Sequence, residues 1–466
     1  MPVSVTRIAR TRSALAHAAS RAAWRQAMTL GQADATIAPA LRVGAAIAVV
    51  LIGGGILGRP ELAGFAALGA LCSAFARHEP YPRRAGKLAL VGGSIVLWAT
   101  VGAALGTMTD SSALEIVAIS LTAGIAALVL SAFSITGPGP VILVFASTAA
   151  VGFADAAGDV AEVFVSVSIG AAIGWVAAML PALLHPVGPA QLAVARALAA
   201  TDSRQDGTAR AALERARLIV ALNARQGPRA HSLGLTTLLD DAENLLDAWA
   251  RGEDPSHAAE LLAHERALRK MRRYDTLPMR AAELAATPEN FFAVGVRSLT
   301  SRALVVNAAR IVLASLLAAW CATAFGFEHP LWATMGAMAA MQGITFHTTV
   351  ERGIQRLLGN VGGAVIAAAL IAGALGYWPT TVAIIALQIV AELLVMRNYA
   401  LTTIAITPMA LLLTGIAGQL SPAVAISRIG DTLIGVLIGI LVAALTIGSG
   451  DKSARQLTRP ERRSIR

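Results

Sequence analysis

Long apolar runs separated by short polar stretches make up most of the chain, and one polar block, residues 186–302, divides them into two sets of six. Seven runs, near residues 38–57, 86–107, 113–133, 160–184, 303–326, 353–375 and 422–447, each hold roughly 20 residues with few charges. At 1.5 Å per residue such a run crosses a hydrocarbon layer of about 30 Å as a helix. Five further runs, near 62–76, 139–154, 329–346, 378–396 and 399–417, are shorter or merge with their neighbours. They are read as spans because an even total puts the basic residues on one side. The pattern therefore predicts an all-α membrane protein of about twelve spans, in two similar six-helix transmembrane bundles, residues 38–185 and 303–447.

The intervening block, 186–302, predicts a helical cytoplasmic domain, because charged and apolar residues alternate there with helical period. Leu213, Leu218 and Leu222 share a face, as do Leu235, Leu238, Leu239, Leu245 and Leu246. Helix breaks are expected at Gly227-Pro228, Asp254-Pro255 and Leu277-Pro278. Its 16 basic and 14 acidic side chains nearly balance, which suits a solvated domain for interaction or oligomerisation rather than a polyanion binder.

The two apolar sets resemble each other at a nearly constant offset. Ala40-Leu41-Arg42 answers to Ala308-Ala309-Arg310, the run 66–70 to 333–337, and Gly92-Gly93 to Gly362-Gly363. Gly170 and Gly174 recur as Gly435 and Gly439, and small residues at four-residue spacing let helices approach closely. With an even number of spans in each half, the repeats are expected to be parallel, with a seam between them.

Composition agrees with a membrane protein: 56% of residues are hydrophobic and 14% charged, against about a quarter charged in soluble domains. The net charge of +10 is an orientation signal rather than a sign of nucleic-acid binding. If the N-terminus is cytoplasmic, the inner side receives the basic segment 1–37, with Arg7, Arg10, Arg12, Arg21 and Arg25, then Arg77, Arg83, Arg84 and Lys87. It also receives Arg352, Arg356, Arg397 and the basic tail 448–466, whereas the outer loops receive only Arg59. This predicts a multi-pass protein of the bacterial inner membrane with both termini cytoplasmic. Arg7, Arg10, Arg21 and Arg25 fall on one face of a helix, which suits an interfacial helix on anionic headgroups. Cys72 and Cys321 both lie in predicted spans and imply no disulfide framework.

Ionisable groups inside a span cost several kcal/mol, so each invites a functional reading. Arg428 and Asp431 share a face of the last span, with Asp431 about 14 Å deep. They are either a self-neutralising pair or a site where Asp431 takes up protons and Arg428 holds a carboxylate. Glu392 lies near the inner end of its span, within reach of Arg397. Arg42 and Arg310 open the first span of each half and suit headgroup anchoring. His329 and Trp332 open the eighth span, as a membrane-edge pair or a proton gate. No Walker loop, zinc cluster or nucleophile elbow is present in the sequence, so neither an ATP-driven pump, an enzyme, a metal site nor a cofactor is expected.

The second half resembles the fusaric acid resistance protein family, which includes bacterial aromatic acid exporters. The resemblance is carried by four elements in order. These are His329-Pro330-Leu331-Trp332-Ala333; Arg352-Gly353 with Gln355-Arg356, Gly359-Asn360 and Gly362; Tyr399 through Thr407-Pro408; and Ser427 through Gly435. It implies two six-span units and proton-driven export of small, often aromatic, organic acids, with Arg352 and Arg356 joining the substrate or proton path. The first half departs from the pattern, with Arg59-Pro60-Glu61 for His329-Pro330, and Val167 and Gly170 or Ala171 for Arg428 and Asp431. The partners expected are a small organic acid and the lipid membrane, with room for homo-oligomerisation and for a periplasmic adaptor. An organic anion channel of similar architecture and a non-transporting membrane scaffold are the alternatives.

The orientation is checked by labelling single engineered cysteines with an impermeant reagent in intact cells. Positions 250, 5 and 460 should all react only after the membrane is permeabilised, and labelling of any one in intact cells contradicts the scheme.

Overall fold

The structure is a computed structural model that describes residues 7–31, 36–203, 206–224, 229–253, 256, 258–270, 284–286, 289–343, 345–416 and 421–446. The basic tail 448–466 and the three expected helix breaks at 227–228, 254–255 and 277–278 lie outside the described residues. All the regular structure described is helical.

Two helices precede the apolar region, α1 (Arg7–Ala18) and α2 (Arg21–Ala27). The first apolar set is α3 (Ile37–Ile56), α4 (Pro60–Ala70) continued by a 3-10 turn Leu71–Ala74, α5 (Tyr81–Met108), α6 (Ser112–Ala132), α7 (Val141–Val151) and α8 (Ala157–Met179). After α9 (Pro181–Leu184), which continues the apolar run of α8, the polar block carries α10 (Gly188–Asp202), α11 (Asp206–Asn223), α12 (Arg229–Ala250), α13 (Ala258–Arg269) and α14 (Phe291–Ser298). The second apolar set is α15 (Arg302–Ala324), α16 (Pro330–Met341), α17 (Phe346–Ala372), α18 (Tyr377–Leu394), α19 (Tyr399–Thr414) and α20 (Pro422–Leu445).

Eight of the described helices are long and apolar enough to cross a membrane: α3, α5, α6, α8 with α9, α15, α17, α18 and α20. The twelve expected spans are not confirmed, because α4, α7, α16 and α19 have only 11, 11, 12 and 16 residues. At 1.5 Å per residue they reach about 16–24 Å, short of the hydrocarbon thickness. Their burial gives the reason. Every residue from Ala63 to Ala70 and from Ala333 to Met341 is buried. These helices are enclosed by protein, where a helix may stop short because irregular backbone is tolerated away from lipid.

The chain packs into two compact units, and both apolar sets fall in one of them, which spans Met1–Phe75, Leu90–Ala177 and Gly295–Arg466. The separation into two bundles is not seen at the level of packing: α3 lies against α18, and α15 against α6. In the repeat these are one contact made twice, the first helix of each set against the fourth of the other. Gly44 faces Ile389 across the first contact and Gly124 faces Val312 across the second.

Glycine fixes the matching contact within each half. A Cβ on Gly170 would lie 1.8 Å from the carbonyl oxygen of Ala66, and one on Gly435 2.3 Å from that of Ala333. Gly174 and Gly439 meet the carbonyl oxygens of Ala70 and Ala337 in the same way. This packing puts Val163 and Ser166, not Val167 and Gly170 or Ala171, at the positions answering to Arg428 and Asp431. The asymmetry read from the sequence stands, four or five residues earlier in the chain.

The N-terminal segment is not one continuous interfacial helix. Ser20 Oγ accepts the Ala23 N–H at 3.2 Å and starts a second helix, so the expected four-arginine face is split. The side chains of Arg7 and Arg10 lie outside the described set. One side of α1 and α2 packs on protein instead, with Ala14, Ala23 and Ala27 buried against Phe346, Val350, Ile354, Val436 and Ile440. Arg42 likewise turns inward, donating to the Ser73 carbonyl at 3.3 Å rather than serving only as a headgroup anchor. Cys72 and Cys321 are free thiols.

The second unit, Ala76–Ala89 with Ala178–Val294, has its own core of alanine, valine and leucine from α10, α11, α12 and α13. Leu213, Leu235, Leu238, Leu239, Leu245 and Leu246 are in that core, whereas Leu218 is 44% exposed. Arg217 bridges Asp240 and Glu243 at 2.7 Å each, tying α11 to α12.

Gly435→Ala separates close packing from helix propensity. Alanine is the better helix former by about 1 kcal/mol, yet here its Cβ would collide with backbone. Thermal unfolding in detergent should show a loss of about 1–3 kcal/mol, whereas Gly93→Ala, with no atom within 4 Å of the added Cβ, should be neutral or stabilising.

Candidate functional site

Four helices of the second apolar set bring buried polar side chains together, and two of them do so by simple helical arithmetic. On α17 Arg352, Arg356 and Asn360 follow at four-residue steps, and on α19 Tyr399, Thr403 and Thr407 do the same, so each triplet forms a stripe. Arg356 Nη1 donates to Tyr399 Oη at 3.1 Å, and the Arg352 guanidinium lies over the Tyr399 ring, 4.6 Å from its centroid. Arg352 Nη2 also donates to Gln342 Oε1 at 2.9 Å. One turn further along α17, the Asn360 amide accepts from the Thr407 hydroxyl and donates to that of Thr432, clamping α17, α19 and α20 together.

Thr432 adjoins the two charges found in the sequence. Asp431 is fully buried and Arg428 nearly so. Among the described residues no direct salt bridge joins them, although the two charges lie close enough to attract. Ser427 Oγ donates to Asp431 Oδ2 at 3.4 Å, while Oδ1 is buried without a hydrogen-bond partner. The Arg428 guanidinium instead sits 4.7 Å from the centroid of the Trp332 ring, which its cation–π attraction suits. His329 stacks on the same indole, 4.5 Å away with 12° between planes. Arg356 is close enough to Arg428 for the two guanidiniums to repel.

His329 and Trp332 open onto a cavity of about 510 Å³. Phe65, Phe145, Phe153 and Leu413 give it an apolar lining, and Glu61, Glu115 and Glu328 add carboxylates. It lies at the ends of α7 and α19 and the beginnings of α4, α16 and α20. The N-terminal segment lies at the other face, with the start of α17, the Arg397 turn and the end of α20.

The structure thus joins Arg352, Arg356, Arg428, Asp431, His329 and Trp332 into one polar chain running between the two faces. Glu392 lies apart from this chain on α18, buried, where it accepts from Gln388 at 3.3 Å. Asn360, Tyr399, Thr407 and Thr432 were visible as motif residues but not as parts of the site. Their signal was the four-residue spacing of polar groups in otherwise apolar helices.

Comparison with known proteins places the same region in context. Residues 316–442 match the family model described as fusaric acid resistance protein-like, and this stretch holds every residue of the polar chain. The chain is 38% identical over 124 residues, 26% of its length, to the uncharacterized membrane protein YvaC of Bacillus subtilis (strain 168). That alignment spans 19% of the relative. No solved structure matches. The apolar helices and the membrane-protein relative together make this a multi-pass membrane protein with a fusaric acid resistance protein-like region in its second half.

Replacing Asn360 with leucine keeps the volume but leaves two buried hydroxyls without their shared partner. We expect a loss of about 1–3 kcal/mol in detergent unfolding, and Thr407→Val in the same background should recover part of it.

Proposed function

We propose that the protein is a proton-coupled secondary exporter of small organic acids, aromatic ones in particular, in the bacterial inner membrane with both termini cytoplasmic. One observation carries the reading: Arg356 and Arg428 are buried close together, and Asp431, which attracts Arg428, makes no direct salt bridge with either among the described residues. Two buried cations against one acid leave a net positive charge, which a low-permittivity interior penalises strongly. A monoanionic passenger balances it. The planar fork of Arg428 can hold a carboxylate in two parallel hydrogen bonds, and Phe65, Phe145 and Phe153 in the adjoining cavity offer an aromatic passenger apolar neighbours.

Asp431 is the group placed to couple protons to the anion. The aromatic cavity is the outer mouth, and its carboxylates oppose re-entry of a released anion. Opening to each face in turn requires movement between helices that here are tied by the Asn360 clamp. The continuity of the polar chain also suits an anion channel, whose flux would not saturate and would not depend on a pH gradient.

Uptake of labelled benzoate into inverted membrane vesicles tests the site. Arg428→Ala should lower the rate about tenfold or more, equivalent to at least about 1.4 kcal/mol of lost binding. Asp431→Asn should retain saturable uptake but abolish its response to an imposed pH gradient. Unchanged uptake in both variants refutes the assignment, and an export-linked resistance phenotype that survives both points to a scaffold.

A further inference from the structure

The N-terminal segment makes more specific contacts with the second apolar set than an anchor requires. Asn398 Nδ2 donates to the backbone carbonyls of Ala27 and Thr29, at 2.9 Å each, and Gln355 Nε2 donates to that of Ala27 at 2.9 Å. The Gly31 N–H donates to the Arg397 carbonyl at 2.7 Å. Gln355 and Asn398 are themselves buried, so withdrawal of the segment would leave both amides without these acceptors. Each precedes a residue of the polar chain: Gln355 stands next to Arg356, and Asn398 next to Tyr399. The segment therefore grips the two turns that carry the arginine–tyrosine part of the site.

Its other attachment is a pair of imidazoles. His17 Nε2 on α1 and His347 Nδ1 on α17 are 2.9 Å apart, with ring centroids at 4.2 Å and planes at 86°. At that separation one nitrogen donates and the other accepts, so at least one ring must be neutral. With both rings protonated, two N–H groups and two positive charges would face each other. The charged groups around the pair do not offset this. On the segment itself Arg12, Arg21 and Arg25 are exposed cations. α17 supplies Glu351 and Arg352, the α18–α19 turn supplies Arg397, and the last three turns of α20 carry no titratable side chain among the described residues.

We propose that residues 7–31 are a strap that closes the site at the face opposite the aromatic cavity, and that protonation of the His17–His347 pair releases it. The proposal rests on the exporter reading for its purpose. Organic acids entering a cell as neutral molecules release protons inside, so the load to be exported would itself open the strap. Burial holds the His17 imidazole below its ordinary value of about 6.5. Its contribution to docking is therefore complete above that value and is lost as pH falls through and below it.

Hydrogen exchange of the full-length protein in liposomes, corrected for the intrinsic pH dependence, reads the strap directly. Amides of residues 7–31 should exchange at least about tenfold faster relative to α20 at pH 5.5 than at pH 8. In His347→Gln, which cannot acquire a second positive charge at the pair, that difference should disappear. Should this variant misfold, spin labels at Ala16 and Met396 in an otherwise unchanged chain supply the second reading, with a distance distribution that is broader at pH 5.5 than at pH 8. Strap exchange that ignores pH, or that titrates equally in His347→Gln, overturns the proposal. Benzoate uptake that is insensitive to Arg428→Ala would overturn the exporter reading instead, while leaving a pH-released strap supported by the exchange data.

Discussion

The close approach of α20 to α16 is the contact on which the rest of the second half depends. Gly435 and Gly439 present bare backbone to the carbonyl oxygens of Ala333 and Ala337, and at Gly435 an added Cβ would collide with backbone. In lipid, where burial of apolar surface does not drive helices together, this contact density is what holds a bundle. It also sets the register of the site. With Gly435 seated on Ala333, one to two turns earlier on α20 Arg428 lies over Trp332, one residue before Ala333 on α16. The same contact made by Gly170 and Gly174 in the first half positions Val163 and Ser166, and no charge.

That difference explains how a duplicated scaffold can carry a single site. The repeat supplies two equivalent sets of enclosed short helices and two equivalent cross-contacts, α3 with α18 and α15 with α6. Only the second set is threaded with arginines and threonines at four-residue steps. Buried cations are costly, and here each has an aromatic or phenolic neighbour and, among the described residues, no direct salt bridge: Trp332 for Arg428, Tyr399 for Arg352 and Arg356. Such neighbours stabilise a guanidinium without cancelling its charge, which leaves it able to attract an anion. A conventional ion pair would have neutralised the site.

The Asn360 amide links the two ends of the polar chain. It connects α17, α19 and α20 through two threonine hydroxyls, one turn from Arg356 and next to the Asp431 position. Movement that opens the site must change this clamp or carry it as a rigid body. At the other end the N-terminal segment is tied to α17 and to the α18–α19 turn by side chains adjoining Arg356 and Tyr399. The two most polar stretches of the second half thus have mechanical neighbours as well as chemical ones.

Sequence alone settled the helical, membrane-embedded character, the repeat, the grouping of basic ends on one face and the intramembrane charges Arg428 and Asp431, because each follows from composition or from spacing along one helix. It did not show how much shorter α4, α7, α16 and α19 are than the other apolar helices, since hydropathy cannot tell a segment buried in protein from one facing lipid. It left Arg428 and Asp431 as either a self-neutralising pair or a proton and anion site, since three-residue spacing brings side chains to one face but does not say which way they turn. Only the tertiary structure decided that. Trp332, 96 residues earlier in the chain than Arg428, competes for the guanidinium across the α16–α20 contact. The folding of the N-terminal segment onto α17 was likewise hidden, because the histidines that meet there, His17 and His347, are 330 residues apart and neither belongs to a local pattern.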